Sequence, residues 1–394
     1  MARFKVARSL RRFAALALAL ASVQGLARAA DDAGKLFAGG DFDAAAAAYT
    51  AALAQNPNDA AANLGLSRIE LYRNHLSASE SLFRKALSDA ATAPAAQRGL
   101  ATIATRRGTA GQYRVEPVGY GKATVPFVQT DPLPIVRVRI GARQSYFLID
   151  TGAPDIALDG TFAQELKLKT KSTGLGVFAG GQRAKTRSTL LPQLTIGGLK
   201  IRNVPAAVLP TRNFGGKYRI DGVIGTGFLA RFVSTLDYLH GSLILRSQQA
   251  WAAEQAALPS GTAVVPMWLV GDHFIFARGR INDAPEALFN IDTGLAGGGV
   301  QATKAEVAAA HIVLDEAHAG TGMGGGGVVR FIPFRAVVSV DGASVTDVPG
   351  IYTPEGDQFG IFPFSVAGAI SHGFFRRFSV TFDFSTMQMT IQQP

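Results

Sequence analysis

The spacing of apolar residues changes once along the chain, near residue 110. Between residues 31 and 110, alanine, leucine and aromatic residues recur with helical spacing, and runs of β-branched residues are almost absent. From about Val115 onward, valine, isoleucine, phenylalanine and threonine alternate with polar residues and are interrupted by glycine and proline. This second pattern is typical of strands joined by turns. The sequence therefore predicts a helical arm over 31–110 followed by a β-rich region.

The helical arm repeats itself at intervals of 34 residues. The pairs related by this interval are Phe42 and Leu76, Tyr49 and Phe83, Ala52 and Ala86, and Leu53 and Leu87. Together with Pro57, this period resembles the tetratricopeptide repeat over about two repeats, and an extra helix is expected near Ala95–Arg106. The resemblance implies a protein partner for the arm. A generic helical hairpin is the alternative interpretation.

The β-rich region contains an internal duplication. The segment "FLIDTGAPDIALDG" at residues 147–160 has a counterpart, "FNIDTGLAGGGVQA", at residues 289–302. Further matches follow at slowly increasing offsets of 142, 144 and 146 residues, as seen for Asp150 and Asp292, Val204 and Val348, and Asp237 and Asp383. The region is therefore interpreted as two copies of one lobe, residues 115–246 and 262–394, each with one Asp-Thr-Gly. A fragment beginning near Val115 is expected to fold without the helical arm.

These motifs resemble those of the retropepsin-like aspartic proteases, over roughly residues 130–394. The resemblance implies a multidomain protein, with the helical-repeat arm followed by an all-β, bilobal acid-protease fold. In that family each lobe supplies one catalytic aspartate from an Asp-Thr-Gly loop, and a later apolar-apolar-glycine segment packs against the loop. The residues that match the family's site are the catalytic pair Asp150 and Asp292, with the supporting Thr151, Gly152, Thr293, Gly294 and Gly225.

The implied chemistry needs two carboxylates and no cofactor or metal. Two carboxylates held close together cannot both ionise, so they share one proton. The ionised member acts as general base on a water molecule, and the protonated member donates to the scissile carbonyl oxygen. The expected activity is that of an endopeptidase acting on a peptide or protein substrate.

The second lobe departs from the family pattern at two positions. Leu295 follows the second Asp-Thr-Gly where the family has serine or alanine, and Ser371 replaces the glycine of the apolar-apolar-glycine segment. The side chain of Ser371 is expected to crowd the loop around Asp292. These departures favour an alternative, in which the protein is a non-catalytic periplasmic binding module for a peptide or protein, with a degenerate protease cleft.

Each lobe also carries a glycine-rich segment after its Asp-Thr-Gly, "GLGVFAGGQ" at residues 174–182 and "GTGMGG" at residues 320–325. The second formally matches a dinucleotide-binding pattern, but the strand-like "VVRFIPF" that follows it excludes the required helix. Both segments are interpreted as hairpin flaps over the cleft. The candidate flap residues are Phe178, Gly180, Met323 and Gly324.

Composition excludes several other classes of site. The chain has no cysteine, so disulfides, thiolate zinc sites and cysteine nucleophiles are excluded. Its six histidines show no metal-ligand spacing, and no metal is expected. Asp237 and Asp383 precede turns and are expected to be structural, and Asp155 and Asp159, which have no counterparts in the second lobe, are assigned no chemistry.

The N-terminus has the layout of a secretory signal peptide over residues 1–29, because basic residues precede a short apolar run and then "ARA". An uncleaved anchor is the alternative. The segment holds six basic residues and no acidic one, so its removal lowers the formal charge from +10 to +4. That mild excess predicts no nucleic-acid partner. The expected product is periplasmic or secreted, begins near Ala30 or Asp31, and has no membrane span.

Overall fold

The computed structural model describes residues 32–117, 119–177, 183–211, 216–324 and 327–394. The predicted signal peptide therefore lies outside the described residues. The chain divides into two compact units, one made up of the residues up to Leu71 together with His75–Ile103, and one made up of Tyr72–Asn74 and Ala104–Pro394. Among the described residues, no helix has both the length and the apolar character required to span a bilayer.

The N-terminal region consists of helices joined by short turns. A helical segment at residues 32–38, α1, precedes the main helices, which are α2 (Phe42–Gln55), α3 (Ala60–Tyr72), α4 (Leu76–Ala86) and α5 (Ala93–Gln112). Asp41 caps α2, because its side chain accepts a hydrogen bond from Ala44 N–H.

A glycine opposite an aromatic ring permits close packing in each helical pair. A Cβ atom at Gly65 of α3 would lie 2.2 Å from the ring of Tyr49 in α2, and one at Gly99 of α5 would lie 2.2 Å from the ring of Phe83 in α4. The two contacts are related by the 34-residue period. The helix expected as an extra one near Ala95–Arg106 is thus the second helix of the second repeat.

The β-rich unit contains one short leading strand and two sets of strands in the same order. The first strand and first set are β1 (Arg114–Glu116), β2 (Lys122–Gln129), β3 (Ile135–Ile140), β4 (Arg143–Ile149), β5 (Ile156–Asp159), β6 (Lys171–Val177), β7 (Arg183–Ile196), β8 (Leu199–Leu209), β9 (Ile220–Ile224), β10 (Val233–Asp237) and β11 (Ser242–Arg246). The second set is β12 (Ala263–Val270), β13 (Phe274–Ile281), β14 (Ala287–Ile291), β15 (Val300–Ala302), β16 (Gly320–Gly324), β17 (Gly327–Val340), β18 (Ala343–Tyr352), β19 (Gly368–Ile370), β20 (Ser379–Asp383) and β21 (Gln388–Gln392).

Short helices occupy equivalent places in the two sets. These are α6 (Gly160–Glu165) and α9 (Lys304–Ala309) after β5 and β15, and α7 (Thr226–Leu229) and α10 (His372–Phe375) after β9 and β19. One more helix, α8 (Gln248–Gln255), lies between the two sets. Asp159, the last residue of β5, caps α6 by accepting hydrogen bonds from Thr161 N–H and Phe162 N–H, which explains its presence there without a catalytic role.

The two sets repeat their strand pairing as well as their order. In the first lobe, β4 pairs in parallel with β9, and β5 pairs in parallel with β8. In the second lobe, β14 pairs in parallel with β19, and β15 pairs in parallel with β18. The antiparallel pairs β3–β4, β6–β7 and β7–β8 likewise recur as β13–β14, β16–β17 and β17–β18. The duplication read from the sequence is therefore a duplication of topology.

One antiparallel sheet joins the lobes. Its strands follow the order β2, β11, β10, β20, β21, β12, so that three strands from each lobe meet at the β10–β20 pair. At that junction the hydroxyls of Thr235 and Thr381, two equivalent residues 146 positions apart, are hydrogen-bonded at 2.7 Å. The pairing of a residue with its own counterpart places an approximate two-fold axis there.

The lobes share a continuous core of aromatic and aliphatic side chains. Equivalent phenylalanines are fully buried in both lobes, as for Phe147 and Phe289 and for Phe228 and Phe374. Burial of such side chains contributes about 1.5–3 kcal/mol each, which favours strands that alternate inward apolar and outward polar residues. The predicted fold class, a helical-repeat region followed by an all-β bilobal protease-like fold, is confirmed.

Candidate active site

Both Asp-Thr-Gly loops begin where a strand of a parallel pair ends. Asp150 follows β4, and its N–H donates to Ile224 O of β9 at 3.0 Å. Asp292 follows β14, and its N–H donates to Ile370 O of β19 at 3.0 Å. The backbone of each aspartate is therefore held by the apolar segment that the sequence places downstream in the same lobe.

The two threonines cross-link the loops. Thr151 N–H donates to Thr293 Oγ1 at 3.1 Å, and Thr293 N–H donates to Thr151 Oγ1 at 3.0 Å. The Thr151 hydroxyl in turn donates to Ile291 O at 2.7 Å. Both threonines are buried, with relative exposures of 0% and 1%. Hydrogen bonds in such a dry setting fix the two loops relative to one another.

The two glycines allow each carboxylate to face the opposite loop. A Cβ atom at Gly152 would lie 2.6 Å from the carboxyl carbon of Asp292, and one at Gly294 would lie 2.3 Å from that of Asp150. Any side chain would collide with the carboxylate across the site. Each glycine N–H also donates to the aspartate of its own loop, at 2.8 Å to Asp150 Oδ1 and 2.9 Å to Asp292 Oδ1.

This arrangement changes the acidity of the pair. Burial raises the pKa of Asp150 well above its usual value, and the neighbouring carboxylate of Asp292 raises it further. The N–H groups of Gly152 and Ala153 oppose the change by stabilising the ionised form. The cause is that ionising two adjacent carboxylates away from water is unfavourable.

The apolar segments that follow support the loops differently in the two lobes. A Cβ atom at Gly225 would lie 2.5 Å from the carbonyl oxygens of Ala153 and Asp155, so the first lobe requires glycine there. In the second lobe Ser371 is completely buried, and its hydroxyl accepts a hydrogen bond from Leu295 N–H at 3.1 Å. The expected crowding by Ser371 is wrong.

The reason lies in loop length. The first loop occupies residues 150–155 between β4 and β5, whereas the second occupies residues 292–299 between β14 and β15 and is two residues longer. The added residues make room for the Ser371 side chain, and the backbone N–H of Ser371 donates to Gly299 O at 2.8 Å. This insertion also accounts for the increase of the sequence offset from 142 to 144.

A cleft of about 1990 Å³ lies over the two aspartates and is lined by both lobes. It exceeds the range of about 300–1,000 Å³ that is usual for small-molecule pockets. Large apolar side chains line much of it, namely Leu133, Leu148, Leu190, Phe274, Leu295, Phe331 and Ile361. The volume and the apolar lining fit an extended peptide segment with several side chains better than a small molecule.

The first-lobe wall of the cleft is basic. Arg114, Lys169, Lys171 and Arg187 all line it. Within the part of the chain that the structure describes, Lys169 and Lys171 form no ion pair, whereas the nearby Glu165 is bound to Arg143 at 2.8 Å. The lysine charges are therefore left to interact with whatever occupies the cleft.

The predicted flaps correspond to the hairpins β6–β7 and β16–β17. Phe178 and Gly180 lie outside the described residues. Met323 and Gly324 end β16, and the backbone of Gly324 is paired with Gly327 of β17. Residues of both hairpins, such as Thr186 and Val329, line the cleft.

Other residues near the site have structural contacts. Asp237 accepts a hydrogen bond from His240 N–H, and Asp383 accepts one from Ser385 N–H, so both close turns as predicted. His372, beside the second loop, is bonded through Nε2 to Asp131 Oδ1 at 2.9 Å and is not among the described residues that line the cleft. Sequence analysis missed Thr226, whose buried hydroxyl donates to Thr151 O at 2.7 Å, although its place directly after Gly225 was a usable signal.

Comparisons with known proteins bear on the helical region and on the first lobe. Residues 136–228 match the family described as Aspartyl protease, and residues 36–107 match the family described as Tetratricopeptide repeat. No curated protein matches the chain. The solved structure of a retropepsin-like aspartic protease from Rickettsia conorii is 25% identical, covering 34% of this chain and 93% of its own, with a TM-score of 0.26. At that score the overlay adds nothing on the fold, whereas the family matches assign an aspartyl protease-like domain and tetratricopeptide repeats to the chain.

Proposed function

We propose that the protein is an exported aspartic endopeptidase that hydrolyses peptide bonds with a water molecule activated by Asp150 and Asp292. The observation that carries this proposal is the cross-linked pair of Asp-Thr-Gly loops, one from each lobe, at the floor of a large shared cleft. A single chain supplies both aspartates, so dimerisation is not needed to complete the site.

The chemistry follows from one proton shared by two carboxylates. The ionised carboxylate takes a proton from a bound water as the water oxygen attacks the scissile carbonyl carbon. The protonated carboxyl donates to the carbonyl oxygen, which gives a neutral tetrahedral diol. When the carbon–nitrogen bond breaks, one diol hydroxyl returns its proton to the ionised carboxylate, and the carboxyl that took the proton from water donates it to the leaving amine, so the pair again holds one proton. The cross-links through Thr151 and Thr293 keep the carboxylates in place throughout, which limits the cost of reorganisation.

The substrate is an extended segment of a peptide or protein. Strands of the two hairpins, β6–β7 and β16–β17, border the cleft and offer backbone groups to such a segment. Pairing of an extended peptide with strand edges gives affinity through the main chain, and the pockets along the cleft select side chains.

The alternative, a binding module without catalysis, rested on Leu295 and Ser371. The hydrogen bond between these two residues and the longer second loop support the enzyme instead, since the departures are accommodated without displacing Asp292. Leu295 lines the cleft and adds an apolar contact for a substrate.

The export signal would determine where the protein acts, and the helical arm would determine which proteins it holds. A protein released into the periplasm or medium after loss of residues 1–29 would meet exported proteins. The tetratricopeptide repeats, over residues 36–107, are the means by which it would hold a protein partner or substrate.

A peptide-library digestion tests the proposal. The protein lacking residues 1–29 is incubated with a diverse library across pH 3–8, and the new termini are identified by mass spectrometry. We expect internal cleavage with incorporation of one solvent oxygen per bond, and none with Asp292→Asn. Binding of library peptides without any new termini would instead support the alternative.

A further inference from the structure

Asp155 lies in the first active-site loop, five residues after Asp150, and lines the cleft. Its backbone and side chain both have defined partners. The carbonyl accepts a hydrogen bond from Gly225 N–H at 2.7 Å, and Oδ1 accepts one from Ile156 N–H at 3.0 Å. Gly227 lies against the same carboxylate, because a Cβ atom there would approach Asp155 Oδ2 to 3.2 Å. The side chain of Asp155 is thus turned back into the first lobe.

Tyr113 comes from outside the duplicated lobes and reaches this carboxylate. It lies between α5 and β1, and its hydroxyl donates to Asp155 Oδ1. The ring packs edge-on against Phe228 with centroids 6.3 Å apart, and the Arg231 guanidinium lies 4.8 Å from the ring centroid. Burial and the adjacent Asp155 raise the pKa of Tyr113, so its hydroxyl stays protonated and remains the donor.

The second lobe has no equivalent contact within the described residues. There the loop is held by the hydrogen bond from Leu295 N–H to Ser371 Oγ at 3.1 Å. The first lobe has glycine at the position of Ser371 and lacks that hydroxyl. The side-chain contacts of the two loops therefore differ: the second loop is bonded to Ser371 of its own lobe, whereas the first is bonded to Thr226 of its own lobe and also to a tyrosine from the preceding segment.

We infer that Tyr113 is a positioning residue for Asp150, holding the first active-site loop through its hydrogen bond to Asp155. The inference rests on the proposed protease activity for its kinetic consequence, but the order of the loop is a separate property. Tyr113 is not among the described residues that line the cleft, and its hydroxyl is bonded to Asp155, so it acts on the reaction through the loop.

The charge environment of Asp155 links this contact to pH. Burial raises the pKa of Asp155 to about 6, while the Tyr113 hydroxyl, the Arg231 guanidinium and Ile156 N–H oppose the rise, and Asp272 adds to it. Loss of the Tyr113 hydroxyl removes a group that stabilises the carboxylate. The pKa of Asp155 then rises further. As pH falls, the Asp155 carboxylate is therefore protonated at a higher pH than in the wild type.

The test compares Tyr113→Phe with Asp155→Asn and Asp155→Ala in the full protein. Phenylalanine keeps the ring packing and removes only the hydroxyl, while asparagine keeps an oxygen that can accept from Tyr113. We expect kcat to fall by on the order of tenfold in Tyr113→Phe and Asp155→Ala, with KM changed little, and to fall less in Asp155→Asn. The change of kcat with pH near pH 6 should move to higher pH in Tyr113→Phe and disappear in Asp155→Asn.

Amide hydrogen exchange over residues 150–155 gives a readout that does not need activity. Faster exchange in Tyr113→Phe, confined to this loop, is the expected result. Unchanged exchange and an unchanged pH profile would overturn the positioning role even if the wild type is active. An inactive wild type whose loop still loses protection in Tyr113→Phe would refute the proposed enzyme and leave the positioning of the loop supported.

Discussion

Replacing Thr151 by valine removes the hydroxyl that cross-links the two active-site loops while keeping the size and β-branched shape of the side chain. In the wild type this oxygen accepts from Thr293 N–H at 3.0 Å and donates to Ile291 O at 2.7 Å. Valine can do neither. Two backbone groups of the second lobe therefore lose their partner in a region closed to water.

The cost follows from burial. Thr151 has 0% and Thr293 has 1% relative exposure, so water cannot replace the hydroxyl. An orphaned buried N–H costs about 1–3 kcal/mol, and the lost bond to the carbonyl adds about 0.5–1.5 kcal/mol. We expect Thr151→Val to lower the free energy of unfolding by about 2–4 kcal/mol. Thr151→Ser keeps the hydroxyl and loses one methyl, for which about 1 kcal/mol is expected.

Tryptophan fluorescence isolates the relevant unfolding transition. The sequence contains two tryptophans. Both Trp251 and Trp268 are buried in the β-rich unit, so urea unfolding followed by fluorescence reports this unit and not the helical repeats. The difference between Thr151→Val and the wild type gives the contribution of the hydroxyl, and Thr151→Ser measures the loss of the methyl group.

A valine variant no less stable than the serine variant would refute the reasoning. It would mean that the loops are not held by this hydrogen bond. The activity of the two variants should follow the same order, because a misplaced loop misplaces Asp150.

Three further predictions concern charge and processing. The pKa of Asp150 is raised in the folded protein, so its contribution to stability is present below the usual pKa of aspartate and is lost as pH rises. The melting temperature of Asp150→Asn should therefore exceed that of the wild type by a margin that grows between pH 4 and 7. A margin that stays constant over this range would contradict the raised pKa. Peptides with acidic residues should be cleaved at lower KM than matched neutral peptides. The double variant Lys169→Glu, Lys171→Glu should remove this difference in KM, and so should 0.5 M salt with the wild type. A difference in KM that does not depend on salt would exclude the basic wall as its source. Intact mass of the exported protein should give an N-terminus near Ala30, and a membrane-bound chain retaining residues 1–29 would contradict the signal peptide.

The duplicated fold could be predicted from the sequence because the same local chemistry occurs twice. Each lobe needs glycine and threonine beside its aspartate, and these requirements leave a readable motif at Asp150 and Asp292. Gly65 and Gly99 also follow the 34-residue period, so their shared packing role could have been predicted. They are less conspicuous than the Asp-Thr-Gly motifs because the surrounding sequence is rich in other small residues. Periodicity thus carried most of the predictable information.

What could not be predicted depends on contacts between distant parts of the chain. The bond from Tyr113 to Asp155 joins residues 42 positions apart that belong to no shared motif. Its presence also means that a fragment beginning near Val115 loses a loop contact, so we expect lower activity from that fragment than from the full protein. The accommodation of Ser371 depends likewise on a two-residue insertion at a different place in the chain.

The most direct test of the account is cleavage of one fluorogenic peptide by the wild type, Asp150→Asn, Asp292→Asn and the double variant across pH 3–8, with circular dichroism to confirm folding. The predicted result is a bell-shaped pH profile for the wild type, loss of cleavage in either single variant, and a double variant no worse than either, because the carboxylates act as one unit. Cleavage that persists in Asp292→Asn would contradict the shared pair, and a folded wild type that cleaves at no pH would contradict the enzyme.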